Sequence, residues 1–161
     1  MHIVSDTEII ARVIRREWIV DGILQQTAFT LSPYETYLSV NRPSICTFET
    51  DVRNFVMSHE DFLFDKGNSF RLASMSVCSV RSIKVLDENN VPLAVEVEVE
   101  PRDAHTKSHA GIFVRAGAQN VLPGRSLFGS AVPEEVSADI ILQDVRWELL
   151  SLATLEQHVI K

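Results

Sequence analysis

The sequence holds only two cysteines, Cys46 and Cys78, with neither a CxxC pair nor a series of spacings from which a disulfide framework is built. That scarcity suits a reducing compartment, and both are expected to be packed thiols rather than reactive ones. Six glycines and six prolines are too few for a low-complexity or fibrous chain. The glycines form neither a Walker nor a Rossmann phosphate loop. A G-x-S-x-G elbow is also missing, so a nucleophile–base pairing of Ser39 or Cys46 with His109 has no local support. Basic residues nowhere mass together: the densest cluster is Arg12, Arg15 and Arg16, against a formal net charge of −7. The broad basic surface of a duplex binder is therefore lacking, and nucleic acid is not an expected partner. No apolar run nears the roughly 18 residues of a membrane span. "MHIVSDTEII" also lacks a basic segment ahead of a long apolar core. These absences together predict a cytoplasmic protein that is neither secreted nor held in a membrane.

What is present is globular. A chain of 161 residues, 45% apolar and 23% charged, fits one domain spanning residues 1–161 that buries roughly 68–70% of its unfolded surface. Neither an internal repeat nor a linker divides it.

The first element reads two ways. Ser5 and Glu8 have the S-x-x-E spacing of a capping box, and Ile9, Ile10, Val13 and Ile14 follow at helical spacing. Yet "IIARVIRREWIV" is dominated by β-branched residues, and Ile10, Arg12, Ile14, Arg16 and Trp18 alternate. The composition favours a short turn followed by a strand. "AFTL" and "YLSV" are expected as two short strands around the proline-bearing turn "SPYE". Thr50 and Asp51 suggest the start of a short helix with Val52, Phe55 and Val56 on one face.

The strongest β signal lies mid-chain, where "FRLASMSVCSVRSIKVL" is long and "VPLAVEVEVE" alternates across the turn "DENN". Val95, Val97 and Val99 should face a core, and Glu96, Glu98 and Glu100 should face solvent. "HAGIFV" predicts another strand, with Ala110, Ile112 and Val114 packed and His109, Gly111 and Phe113 on the other side. Beyond Pro133, Glu134 and Glu135, the spacing of Ala138, Leu142, Val145, Leu149 and Leu152 predicts a C-terminal helix, one long or two in series. Its seam spans about two heptads, short of the three or four of a coiled coil. Packing on the protein's own sheet is thus favoured over a helix-mediated homodimer. The sum is an α+β domain: a mainly antiparallel sheet with a short central helix and a C-terminal helix packed on it.

Alternation places Leu38 and Val40 on one face of their strand and Ser39 and Asn41 on the other, with Arg42 leaving at the strand end, held extended by Pro43. Arg12, Ser39, Asn41, Arg42 and His109 are therefore the candidate ligand-binding residues. An arginine fork suits carboxylate or phosphate, and a nearby histidine could respond to such an anion. The expected function is binding of a protein partner or a small anionic ligand. His105 and His109, four apart beside Glu100 and Asp103, offer a metal-binding alternative, although the stretch reads as a loop with no third ligand fixed.

Two resemblances extend these readings. Arg12 on an early strand, Ser39 on a later one and Glu98-Val99-Glu100 on a third resemble the Arg, Ser and Glu-x-Glu layout of arginine-type ADP-ribosyltransferases, although "YLSV" stands where that family has Ser-Thr-Ser. The resemblance implies an enzyme using NAD: Arg12 and Ser39 would brace the dinucleotide, and Glu100 would stabilise an oxocarbenium-like state at the nicotinamide ribose. Ala28-Phe29, Leu38-Ser39-Val40-Asn41 and His109-Ala110-Gly111-Ile112 are also similar to a group of small bacterial proteins of no assigned activity. That likeness implies a bacterial, cytoplasmic protein and carries no chemistry.

Overall fold

A computed structural model describes residues 4–31, 37–87, 89–99, 106–121 and 133–160. In chain order the elements are β1 (Ile9–Val13), β2 (Ile19–Val20), β3 (Ile23–Leu24), β4 (Leu38–Asn41), α1 (Phe48–Ser58), β5 (Ser69–Ser76), α2 (Val77–Arg81), β6 (Val85–Leu86), β7 (Pro92–Val99), β8 (His109–Ala116), β9 (Gln119–Asn120), α3 (Pro133–Leu152) and β10 (Thr154–Val159). Seven strands form one antiparallel sheet in the order β10-β5-β1-β4-β8-β7-β6, with β9 added at the end of β8. The domain is α+β, with the C-terminal helix packed against the sheet. None of the described helices is long and apolar enough to cross a membrane.

Alternation decides which side of each strand is dry. On one face Ile10, Leu38, Val40, Met75, Val95, Val97 and Ile112 meet Val77 and Val80 of α2 and Leu142, Val145 and Leu149 of α3. The helix seam is thus spent on the protein's own sheet. On the other face a smaller core joins Ala11, Val13 and Leu72 to Val52 and Val56 of α1 and to Phe62. Ala110, Ile112 and Val114 are packed as alternation predicts. Across the sheet from them, Gly111 lets the Tyr37 ring lie against the strand, since a Cβ there would fall 2.5 Å from the ring.

Several local expectations are corrected. "AFTL" is not a strand: Gln26–Phe29 is a 3-10 turn that buries Ala28 and Phe29. The long apolar stretch from Phe70 does not run through, because the Ser76 hydroxyl accepts from the Ser79 N–H at 3.1 Å and starts α2. β6 then pairs with β7 as a short hairpin. α1 begins at Phe48, ahead of Thr50, and Phe55 lies outside its buried face. Cys46 and Cys78 are exposed, not packed, one in the turn before α1 and the other on the outer side of α2. Glu98 is not on a wet face: it is 4% exposed and ion-paired with Arg115. The first strand, expected to alternate as far as Trp18, ends at Val13, and Arg16–Trp18 is a 3-10 turn; β3, β9 and β10 had no counterpart in the expectations. Asp21 and Gly22, both with positive φ, turn β2 into β3 as a two-residue hairpin, and β10 covers the outer side of β5.

Candidate functional site

The β1–β4 pairing is short, and the site grows out of that. Ala11 pairs with Asn41, and one step further the ladder would set Val13 opposite Ser39. Arg12 intervenes there. Its Nη1 donates to the Ser39 carbonyl at 2.6 Å and its Nε to the Ala28 carbonyl at 2.6 Å, with Nη2 at 3.4 Å from the Thr30 carbonyl. A planar five-donor fork can serve carbonyls in three directions, so Arg12, 9% exposed, holds the two strands apart in a fixed wedge.

The wedge opens on the α1 side of the sheet into a cleft of about 880 Å³. Arg12, Ser39, Asn41 and His109 all line it. Arg42 does not. Its Nε and Nη2 donate to Glu8 Oε1 and Oε2 at 2.9 Å each, and Ser44 donates to the same carboxylate at 2.7 Å. The arginine fork predicted to meet an anion is committed to an internal one. His105, Glu100 and Asp103 lie outside the described residues. Among those described, no group of three or more His, Cys, Asp or Glu is placed to hold a metal ion.

One wall of the cleft is polar. Asn41, opposite His109 in the β4–β8 register, donates from Nδ2 to the Ser108 hydroxyl at 2.9 Å. Ser108 donates from its hydroxyl and its N–H to Asp51 Oδ2, at 2.7 and 3.1 Å, and Thr47 donates to the same oxygen at 2.9 Å. Burial pushes the Asp51 carboxyl up, but these hydrogen bonds outweigh it and hold it below the ordinary carboxylate value. The Ser108 hydroxyl and N–H and the Thr47 hydroxyl thus converge on Oδ2.

The other wall is aromatic. Phe55 stacks on His59 with ring centres 4.5 Å apart and meets Phe62 edge-on at 4.8 Å; Trp18 meets Phe62 edge-on at 6.1 Å. The Arg15 guanidinium lies over Phe62 at 5.1 Å and over Trp18 at 5.7 Å. His59 Nδ1 is 2.9 Å from the Phe55 carbonyl. A carbonyl only accepts, so in neutral His59 the proton is on Nδ1 and Nε2 is an acceptor.

The sequence reading missed this aromatic wall, although a signal for it exists. Asp51, Phe55, Ser58 and Phe62 recur at steps of four, three and four, and all line the cleft. That is a second stripe beside the buried Val52 and Val56. Of the layout resembling an ADP-ribosyltransferase, Arg12 and Ser39 line the cleft and Glu100 lies outside the described residues. Ser39, Gly111 and Glu98 share one cross-strand row, but Glu98 is held by Arg115 and is not among the residues lining the cleft. No protein-family model matches this chain, and neither a curated protein nor a solved structure shows significant similarity to it.

Proposed function

We propose that the protein is a binding module for a small amphipathic molecule with a flat ring and a hydrogen-bonding end. The observation that carries this is the continuity of two unlike walls in one cleft of about 880 Å³, within the range that small-ligand sites occupy. Along α1 the lining changes from Asp51 to Phe55 and then to His59 within about two turns. A ring would lie against Trp18, Phe55 and Phe62, and donors on its other end would meet Asp51 and His109. An ionised Asp51 repels a negative charge at that end. An anionic ligand would have to turn its charge toward Arg15, whose Nη1 already lies 3.4 Å from Asp61 and 3.8 Å from Glu17.

Fluorescence tests this directly. The chain has two tryptophans, Trp18 in the cleft and Trp147 exposed on α3, so Trp147→Phe leaves a reporter inside the site. Titration with the aromatic sulfonate ANS should quench Trp18 saturably in the folded protein. Phe55→Ala, a change at a half-exposed side chain, should weaken that binding roughly three- to tenfold. Unsaturable quenching, or equal affinity in the variant, contradicts the proposal.

The alternative that the protein uses NAD is supported by Arg12 and Ser39 lining one cleft; Glu100, the residue that would carry the chemistry, lies outside the described residues. Calorimetry against NAD is expected to give no heat. A saturable signal there would restore the enzyme reading.

A further inference from the structure

The fold treats the two ends of the sheet differently. At one end β6 is only two residues long, and the part of β7 beyond it is closed over. The Val4 N–H donates to the Val97 carbonyl at 3.3 Å, and Arg81 Nη2 donates to the same carbonyl at 2.9 Å. At the other end β10 runs six residues in unbroken register with β5, from Thr154 opposite Ser74 to Val159 opposite Ser69. Among the described residues, no strand pairs with its outer side. It contains neither proline nor lysine, the usual devices that keep an edge from pairing.

Which backbone groups point outward follows from the ladder. The Ile160 N–H donates to the Asn68 carbonyl at 2.9 Å. Antiparallel pairs alternate, so the groups turned toward β5 belong to Thr154, Glu156, His158 and Ile160. The Arg71 carbonyl agrees: it accepts from Ile14 on the opposite side at 3.1 Å, and Arg71 is the residue opposite Gln157. Leu155, Gln157 and Val159 therefore present N–H and C=O outward.

We propose that β10 pairs antiparallel with β10 of a second copy of this chain, about a twofold axis through Gln157. In this register Leu155 of one copy faces Val159 of the other, and Glu156 faces His158. Outward groups meet outward groups, giving roughly six main-chain hydrogen bonds. Glu156 and His158 fall in the closer, non-hydrogen-bonded pairs, where side chains interact most. Val159, 65% exposed in one copy, gains an apolar neighbour. The nearest other registers do worse. Centring on Glu156 opposes two carboxylates and centring on His158 two imidazoles, whereas the Gln157 axis opposes two neutral amides; centring between residues sets outward groups against inward ones. The segment Leu155 to Val159 is thus complementary to itself in one register.

A register-specific cross-link tests this. In a Cys46→Ser, Cys78→Ser background, Gln157→Cys brings two thiols directly opposite each other across the axis, within disulfide reach. Thr154→Cys brings none. Mild oxidation should yield a covalent dimer from Gln157→Cys at least tenfold faster than from Thr154→Cys. By sedimentation, the unmodified chain should show a concentration-dependent monomer–dimer equilibrium. Glu156→His should weaken it at least fivefold, and the swap Glu156→His with His158→Glu should restore it, each variant's fold being checked by its melt. A monomer at every concentration overturns the proposal, as do equal cross-linking of the two cysteine variants and a dimer indifferent to Glu156→His.

Discussion

Glu8 and Arg42 form a two-bond ion pair near the cleft without belonging to it. Their side chains are 13% and 17% exposed, and the carboxylate also accepts from Ser44 and from the Ser5 N–H. The Arg42 hydrogen bonds, partly opposed by burial, lower the Glu8 carboxyl from 4.5 to about 2. A folded value below the unfolded one means that the pair's contribution is complete above pH 4.5 and disappears as pH falls toward 2. Arg42→Ala should therefore cost about 1–3 kcal/mol at pH 7, and the gap between variant and parent should close across that acid window. Urea melts at intervals from pH 7 to 2 measure it; a gap that is absent at pH 7 or persists at pH 2 contradicts the assignment. The sequence showed half of this arrangement. Ser5 and Glu8 do make the capping-box contact their spacing suggests, yet in a turn ahead of a strand. Arg42 looked like a binding residue because its partner lies 34 positions away, and local pattern carries no information at that separation.

At the scale of elements, β7 shows where strand alternation succeeds and where it stops. Val95 and Val97 are buried as the period of two requires. The same period puts Glu98 on the opposite face, and nothing in "VEVEVE" announces that Arg115 of β8 will cover it. Removing one partner of a buried ion pair leaves the other charge uncompensated. Glu98→Ala should thus cost about 3 kcal/mol, the lower end for such losses, because Arg115 can turn partly to solvent. Val97→Ala should cost about 1–3 kcal/mol through lost burial and a cavity. Denaturant melts of the two variants compare them, and a near-neutral Glu98→Ala would return that residue to a solvated face. β2, β3 and β10 were legible in principle. Asp-Gly between Ile19-Val20 and Ile23-Leu24 is a strong hairpin signal, and "TLEQHV" alternates weakly after the helix. Each is short and makes sense only beside its neighbour: β10 needs the open side of β5.

For the whole molecule, the consequential fact is that one sheet supports two cores of unequal size. The α3 face gathers residues from nearly every strand together with α2 and α3, whereas α1 is fully anchored only through Val52 and Val56. Composition and alternation made the first core visible, because its positions repeat along long elements. The second, and with it the cleft, arises from the wedge at Arg12 and the turn of α1, which are tertiary facts. Stability in a folded domain is not uniform, and segments with few buried apolar contacts open below the global free energy. The wall that carries Asp51, Phe55 and His59 is thus the weaker side of the molecule, tied to the sheet by the Thr47–Asp51–Ser108–Asn41 hydrogen bonds. Native-state hydrogen exchange should find α1 amides opening at a free energy about 2 kcal/mol or more below those of β7, β8 and the second half of α3, with a smaller denaturant dependence. Ligand bound in the cleft touches the folded wall and not the opened one, so saturating ANS should raise protection in α1 selectively. If α1 amides instead exchange with the global free energy and slope, the two faces are one cooperative unit, and the cleft must admit its ligand without any movement of that helix.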